Sequence, residues 1–592
     1  MTVTLSEFEQ VIYADFEFVA KPGEPPDVVC LAWREEPSGQ TYRLWRDQLG
    51  DVPPYRTDAR VLFVCFVGNA ELHCHLALGW PLPVNVLDLN AEFRCVTNGR
   101  TVPAGKGLLG ALAYYRFNDT DCKRKDAMQK RIMQGWPFTV EEREELLRYC
   151  ASDVDALYLL LARMQPELEL PVALHRGAFV AASAHMEHRG VPIDMEIFPQ
   201  LADPRAWRYV RDAMVPIIDA DYGVYDKGPD GDWHFSMEYF GKYLEREKIT
   251  WPLTDKGKLS TKRKAFEDMA KGHPQLEGLR QLRHARDKMR KIKLAVGVDG
   301  RNRTVLWPYK AKTSRTQPKA SQWIFSPAVW LRSLIKPGAG MAVAYVDWSS
   351  MEFLIAASLS NDPVMLESYR SDPYLSFAKR VGAAPSSATK HTHEPLRDRY
   401  KTGLLAIQYG IQAETLGARL GVSTFDAHEM INQHHELFAV YWRWSDDWLA
   451  HALDTGVMWT PLGWTCRTGI TEFNARSIRN FPIQGSGADI LRIACIWATR
   501  HGLRLLAPVH DAVLIEAPLE RIEADVALMQ ELMRRASRVV LGGHELRTDA
   551  KIIRHPERYT DRRGDAVWAN VLRLLAEYRQ GAMPCKTARH AN

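Results

Sequence analysis

This chain of 592 residues has little of three things: cysteines that could pair, long apolar runs, and an excess of charge of either sign. Its nine cysteines are scattered, odd in number and free of any CxxC spacing, which excludes a disulfide framework and a zinc site and points to a reducing cytoplasm. No stretch approaches the roughly 20 apolar residues of a membrane span, and MTVTLSEFEQVIYADFEF has no basic segment leading into an apolar run. Neither export nor a membrane partner is expected. A net charge of +5 leaves nucleic-acid binding to the distribution of Lys and Arg, not their sum. Low-complexity tracts are also missing, so the chain should fold throughout except for its last dozen residues.

What is present is a hydrophobic fraction of 46% in a chain too long for one core, so several domains are expected. Residues 11–20, VIYADFEFVA, and 61–68, VLFVCFVG, read as buried strands. Helical patterns follow up to RYCASDVDALYLLLARM, giving an α/β unit that ends near residue 168. HMEHRGVPID (185–194) reads as a helix running into a glycine turn and a strand. Turn signals at KGPDGD and TDKGKLS mark a mixed region that opens a larger unit.

In LRQLRHARDKMRKIK (279–293), Leu279, Leu282, Met289 and Ile292 form one helical stripe, and Arg280, Arg283, Arg286, Arg290, Lys291 and Lys293 take the other faces. One side is expected to pack and the other to meet phosphates or water. The neighbouring KAKTSRTQPKA favours phosphates.

Three places carry chemistry. MAVAYVDWS (341–349) reads as a strand passing into a helix that Ser349 or Ser350 could cap. LRLLAPVHDAVLIEAP (503–518) reads as two strands meeting at His510 and Asp511. Asp347 and Asp511 can therefore project from rigid elements toward one point, as phosphoryl transfer with two divalent cations requires. Between them, HEPLRDRYKTGLLAIQYG places Arg397, Lys401, Leu405 and Tyr409 at spacing four on one helix face. That face suits a triphosphate followed by a base.

SRT at 314–316, YVDWSSMEF at 345–353, R-x3-K-x7-YG at 397–410, RSIRNFPIQGSGADI at 476–490 and VHD at 509–511 together resemble family A DNA polymerases in order and spacing, over residues 180 to 560. The resemblance implies a right-hand polymerase domain of palm, fingers and thumb acting on primer-template DNA and dNTPs. Asp347 and Asp511 become the palm metal ligands, with two Mg2+ per active site or Mn2+ in their place. Arg397, Lys401, Leu405, Tyr409 and His510 would bind the nucleotide. Glu352 would be the sugar gate, a carboxylate leaving no room for a ribose 2′-hydroxyl. Arg315, Arg476, Asn480 and Gln484 would contact the primer terminus and minor groove, where acceptors common to every correct pair report shape. Two departures stand out: Leu405 where relatives usually carry Phe or Tyr, and Ala512 where many carry Glu. The second removes an auxiliary carboxylate.

In the first strand Asp15 and Glu17 are two residues apart and share a face, and Tyr149 and Asp153 are four apart on a helix. The arrangement resembles a DEDD-type 3′→5′ exonuclease over residues 8 to 168, with Asp15, Glu17 and Asp153 as metal ligands and Tyr149 orienting water. Its middle motif reads GNAELHCH: Asn69 fits, but His73 stands where a carboxylate belongs. Glu71 or Asp88 substitutes, or one metal binds weakly.

The whole is expected to be an α/β multidomain protein. It divides into an RNase H-like exonuclease domain (1–168), a linker and thumb (169–310), palm (311–390), fingers (391–475), and palm with a C-terminal tail (476–592). No 5′-nuclease domain is expected ahead of it, as in phage-like short forms, which would place a phage-encoded monomer in the host cytoplasm. The competing readings are a single-subunit RNA polymerase, against which Glu352 speaks; a nuclease with a degenerate polymerase half; and a structural nucleic-acid-binding protein, which has no use for Asp347 and Asp511. Preference for a modified base such as 2-aminoadenine, known among short phage polymerases, stays open.

Overall fold

The structure, a computed structural model, describes residues 4–117, 122–254, 256–468 and 474–581. The expected unfolded tail and Asp255 of the TDKGKLS turn lie almost wholly or wholly outside those residues.

The first unit is built on five strands: β1 (Gln10–Val19), β2 (Asp27–Glu36), β3 (Gln40–Trp45), β4 (Val61–Cys65) and β5 (Asn85–Asp88), in the order β3-β2-β1-β4-β5. β1 runs antiparallel to β2 and parallel to β4, and β4 parallel to β5. β4 is apolar and buried at every position, as a strand covered on both faces must be. It ends at Cys65, earlier than the sequence pattern predicts, because Gly68 already begins helix α1 (Gly68–Ala77). Helices α2 (Leu89–Val96), α3 (Leu108–Tyr114) and α4 (Val140–Met164) complete the unit. A reciprocal cap starts α4. Glu142 N donates to Thr139 Oγ1 at 3.2 Å and Thr139 N to Glu142 Oε2 at 2.8 Å, which fixes the helical phase seen later at Tyr149 and Asp153.

Helix α5 (Leu170–Arg189) belongs to both halves, packing on α1 and β5 on one side and on the second sheet on the other. Arg176 reaches Glu92 with a two-pronged, fully buried ion pair of 2.6 and 2.5 Å, tying α5 to α2.

Beyond α5, helices α6 (Pro204–Asp219) and α7 (Glu277–Lys288) pack together. Here the structure corrects the reading of 279–293. The helix stops at Lys288, leaving Arg290, Lys291 and Lys293 outside it, and its arginines turn inward. Arg280 pairs with Glu277, Arg283 lies over the Phe235 and Phe266 rings, and Arg286 pairs with Asp212. Neighbouring elements surround α7, so these cations are spent on packing and not on phosphates.

The second sheet holds β6 (Met341–Trp348), β7 (Arg504–Val509), β8 (Ala512–Pro518) and β9 (Thr548–Arg554), all antiparallel, in the order β7-β8-β6-β9. Helix α8 (Met351–Ser360) follows β6. Ser350 stands at its N-cap position with φ +53° and makes no side-chain cap, while Ser349 Oγ bonds Asp549, so neither serine caps as expected. Helix α9 (Glu394–Gln408) precedes the long α10 (Ala475–Arg500), whose first turn is capped by Asn474 accepting from Ser477 N at 2.9 Å. Helices α11 (Ile522–Val540) and α12 (Arg562–Arg579) close the fold. None of the described helices is long and apolar enough to cross a membrane.

Candidate active sites

At the second sheet, strand register brings the carboxylates together. Asp347, near the end of β6, lies opposite Ala512 of β8, and Trp348 N donates to Asp511 O at 3.1 Å. Asp511 therefore sits beside Asp347 at the hairpin tip. The hairpin turns on two residues, and His510, its first, holds φ +57°, a conformation costly for a side chain with a Cβ.

On the other edge of β6, Asp347 pairs in register with Asp549 of β9. Sequence reasoning missed this third carboxylate, since nothing in RTDAKII marks it and only the β6-β9 register does. Burial first, then the charges of Asp511 and Asp549, push the Asp347 carboxyl up to about 6, and Lys401 opposes them. Burial also raises Asp511, with His510 and Arg315 opposing and Glu352 adding to the rise. Asp347, Asp511, Asp549, Lys401, Glu352 and Arg315 thus share one electrostatic neighbourhood.

Tyr409, at the C-terminal end of α9, donates its hydroxyl proton to Glu352, lying 2.6 and 2.7 Å from the two carboxylate oxygens. Arg315 Nη2 reaches Glu352 at 3.4 Å and Gln484 Nε2 donates to the Tyr409 hydroxyl at 3.3 Å. Four sequence-predicted residues from four segments meet in one network. Gly410 makes the turn after Tyr409 with φ +74°, and a Cβ there would press on Arg476 Cγ at 3.2 Å. On α10, Arg476, Asn480 and Gln484 recur at spacing four and line a cavity of about 410 Å3 with Tyr409 and Lys312. Arg492 and Asp489, which the sequence reading passed over, form a buried pair, and Arg492 Nη1 donates to Ser314 Oγ at 2.9 Å, anchoring the loop that carries Arg315.

Two residues are placed differently from the simple picture. Arg397 lies over the Tyr374 ring and pairs with Asp372 at 2.7 Å and Asp398 at 3.0 Å, so its charge is already engaged. Leu405 is half-buried against the apolar core between Lys401 and Tyr409. His510 faces a larger cavity of about 1,020 Å3, shared with Arg332, Phe325, Arg562 and Arg563.

At the first sheet, Asp15, Glu17 and Asp153 bring carboxylate oxygens within 4.8 Å of one another. A register shift in the β1-β2 pairing falls between Glu17 and Phe18, a bulge directly beside the cluster. Glu17 is driven well above the ordinary carboxylate range by burial and then by Asp15, with Asp153 and Glu71 adding to it. Such mutual repulsion fits a bound divalent cation. Tyr149, one helical turn from Asp153, is raised by burial, by the Asp153, Glu17 and Asp15 charges and by its hydrogen bond to Asp153, so it stays a protonated donor. The Cys150 thiol donates to Asp15 Oδ2 at 3.5 Å, a support no sequence signal marked.

The middle motif resolves by helical phase. On α1, Asn69 and His73 are one turn apart and face α5. Asn69 Nδ2 donates to Glu187 at 2.9 Å, and His73 packs edge-on against His188 and is held neutral, its pKa drawn down to about 3 by burial, His188 and Arg303. Glu71, on the opposite face, accepts from Phe16 N at 2.9 Å and is raised well above its usual range by burial and by Asp15 and Asp153. Asp88 is committed to capping α2, accepting from Asn90 N at 2.8 Å and Ala91 N at 3.3 Å. Of the two substitutes left open, Glu71 is the one beside the cluster.

The sequence profile of DNA polymerase family A matches residues 237–552. DNA polymerase I of Aquifex aeolicus is 26% identical over 438 residues, covering 67% of this chain and 73% of its own length. The DNA polymerase of Mycobacterium phage D29 is 23% identical over 402 residues, 65% of this chain and 63% of the phage protein. Thermostable DNA polymerase I of Thermus thermophilus is 29% identical over 215 residues, 33% of this chain and 25% of its own length. Among solved structures, the POL domain of Pol1 from M. smegmatis, in complex with DNA primer-template and dNTP, superposes with a TM-score of 0.66 at 22% identity, covering 91% of this chain and 94% of that one. At that identity the likeness is one of fold.

Proposed function

The chain belongs to DNA polymerase family A, and from that premise we propose that it extends a DNA primer on a template from dNTPs and trims mispaired primer ends with its N-terminal unit. The observation that carries the reading is the Tyr409–Glu352 hydrogen bond, flanked by Arg315 and Gln484, in the electrostatic neighbourhood of Asp347 and Asp511. On this reading Glu352 is a sugar gate, Tyr409 a base platform and Asp347 with Asp511 the carboxylate pair.

Asp347 and Asp511 would hold the divalent cations, with Asp549 beside them in place of the carboxylate lost at Ala512. Such cations neutralise charge on the attacking and leaving oxygens. In the reaction the primer 3′-hydroxyl oxygen bonds the α-phosphorus, the bond to the β-phosphate oxygen breaks, pyrophosphate leaves and the hydroxyl proton passes to solvent. Lys401 lies toward the carboxylates and offers its ammonium to the triphosphate, and Arg397 joins it on exchanging Asp372 for phosphate oxygens. Tyr409 and Arg315 keep Glu352 in one orientation, so a ribose 2′-hydroxyl meets a fixed carboxylate.

The first sheet, with antiparallel β2 and β3 flanking three parallel strands, supports the RNase H-like expectation. Asp15, Glu17 and Asp153, joined by Glu71, would hold the cations of the excision site, and Tyr149 would orient the attacking water. The same reading divides the chain into exonuclease (1–168), linker and thumb (169–310), palm (311–390), fingers (391–475), and second part of the palm with the C-terminal tail (476–592). On this reading the chain works as a monomer.

Primer extension with Mg2+ and four dNTPs, repeated without dNTPs, tests both halves. Asp511→Ala should abolish extension and spare shortening, and Asp15→Ala the reverse. Extension lost in neither variant would sink the palm assignment.

A further inference from the structure

A hollow of about 240 Å3 lies where the N-terminal unit meets residues 309–312, and neither carboxylate site draws its ligands from it. One wall is the C-terminal end of α2 and the loop leading to α3, which supply Arg94, Arg100 and Lys106. The other is the segment just before the SRT loop, which supplies Lys310 and Lys312. Helices α2 and α3 both pack against α4, the helix that carries Tyr149 and Asp153. Lys312 also lines the cavity that holds Tyr409, Arg476 and Gln484. The hollow therefore borders the polymerase cleft at one end and the exonuclease unit at the other.

Among the described residues, five cations line it and no carboxylate does. Among the described residues, Arg94, Arg100, Lys106 and Lys310 form no ion pair, and their partners are neutral. Arg94 Nε donates to Asn90 Oδ1 at 2.7 Å, Lys106 Nζ to the Thr97 carbonyl at 3.1 Å and Arg100 to the Tyr114 hydroxyl, while Lys310 lies over the Trp307 ring. Lys106 is pulled below the usual lysine range by burial and then by the charges of Arg94 and Lys312. Like charges gathered this way repel, and an anion offsets the repulsion.

The hollow is also a built one. Asn98 Nδ2 donates to the Lys312 carbonyl at 2.7 Å and to the Thr465 carbonyl at 2.9 Å, and Arg467 N returns a bond to the Asn98 carbonyl at 3.0 Å. Gly99, at φ +80°, lies so close that a Cβ would fall 1.9 Å from the Arg467 carbonyl oxygen. Both walls are thus fixed relative to each other before any ligand arrives.

We propose that this hollow holds a phosphodiester of single-stranded DNA on its way between the polymerase cleft and the exonuclease carboxylates. It is too small for a duplex, and its cations join a wall of the N-terminal unit to a segment whose Lys312 also lines the Tyr409 cavity; the inference rests on the function proposed above. Phosphate contacts of this kind give affinity without sequence preference.

The test is equilibrium binding of a fluorescent oligothymidylate to the full chain in EDTA, over a salt series, for the wild type and for Arg100→Glu with Lys310→Glu. Both residues are exposed, so the double variant should keep the wild-type melting temperature. We expect oligothymidylate affinity to fall at least tenfold at low salt and the slope of log affinity against log salt to shrink by about 1.4, two contacts at about 0.7 each for a single strand. Unchanged affinity and slope would overturn the proposal, as would an equal loss for a blunt duplex. A third outcome also overturns it: inorganic pyrophosphate protects the wild type but not the variant from thermal unfolding, while oligothymidylate binding is intact, which makes the hollow a small-anion site. Because no chemistry occurs in EDTA, the result is independent of whether either active site works.

Discussion

The two carboxylate clusters are built from the same chemistry and balanced in opposite ways. At the second sheet, Asp347 comes from β6, Asp549 from neighbouring β9 and Asp511 from the tip of the β7-β8 hairpin, and protein cations answer them: Lys401 opposes the rise at Asp347, and His510 and Arg315 oppose it at Asp511. In the N-terminal unit, Asp15 and Glu17 share one strand, Asp153 faces them from α4, and the charges acting on Glu17 are all of its own sign. The second-sheet cluster is partly neutralised by its own fold, whereas the N-terminal cluster, on the function proposed above, leaves that task to divalent cations. A site of the second kind should depend more steeply on metal concentration.

The largest effect expected from breaking this comparison is at the palm pair. Asp347→Ala should lower extension on the order of a thousandfold, several kcal/mol of lost transition-state stabilisation, while excision by the N-terminal unit is retained. Single-turnover kinetics on one primer-template, with and without dNTPs, separates the two.

Next come the supporting carboxylates, where losses of about 10–100-fold are expected of groups that tune a metal site. Asp549→Asn should slow extension and raise its Mg2+ requirement, and Glu71→Gln should do the same to excision. His73→Ala should leave excision unchanged, because His73 faces α5. Excision lost in His73→Ala and kept in Glu71→Gln would reverse the assignment.

Glu352→Ala should raise ribonucleotide incorporation relative to deoxyribonucleotide by at least about tenfold, since the gate is steric. Tyr409→Phe should have a smaller effect in the same direction, by freeing Glu352 from the Tyr409 hydroxyl. Competition between dCTP and CTP opposite one template base measures both.

The smallest effect concerns the seam between the halves. Buried Glu187 of α5 accepts from Asn69 Nδ2 and from Leu306 N at 2.6 Å, and burial raises it to about 8. The folded chain then binds a proton that the unfolded chain releases near 4.5. The stability it contributes is complete below about 4.5 and is lost as pH rises through about 8. Melting temperature should fall between pH 5 and pH 9, and Glu187→Gln should flatten that fall; an identical pH profile would remove Glu187 from the account.

Much of this was legible in the residues. Spacing two on β1 and four on α4 and α9 placed Asp15 with Glu17, Tyr149 with Asp153 and Lys401 with Tyr409, because helix and strand periods are local properties. Other features were not. The arginines of α7 looked like a phosphate face until the neighbouring helices claimed them, since a basic stripe carries the same pattern whether solvent or a packed partner lies beyond it.

The sequence by itself determined which residues share a face of one strand or helix, Asp15 with Glu17, Tyr149 with Asp153 and Lys401 with Tyr409, for those placements rest on periodicity within single elements. Only the tertiary structure decided that Asp549 stands beside Asp347, that Glu71 and not His73 or Asp88 faces the N-terminal cluster, that Arg397 begins paired with Asp372, and that five cations enclose a hollow between the halves. Each of these depends on strand register, helix rotation or the meeting of segments hundreds of residues apart, which packing of the whole chain sets and no local pattern encodes.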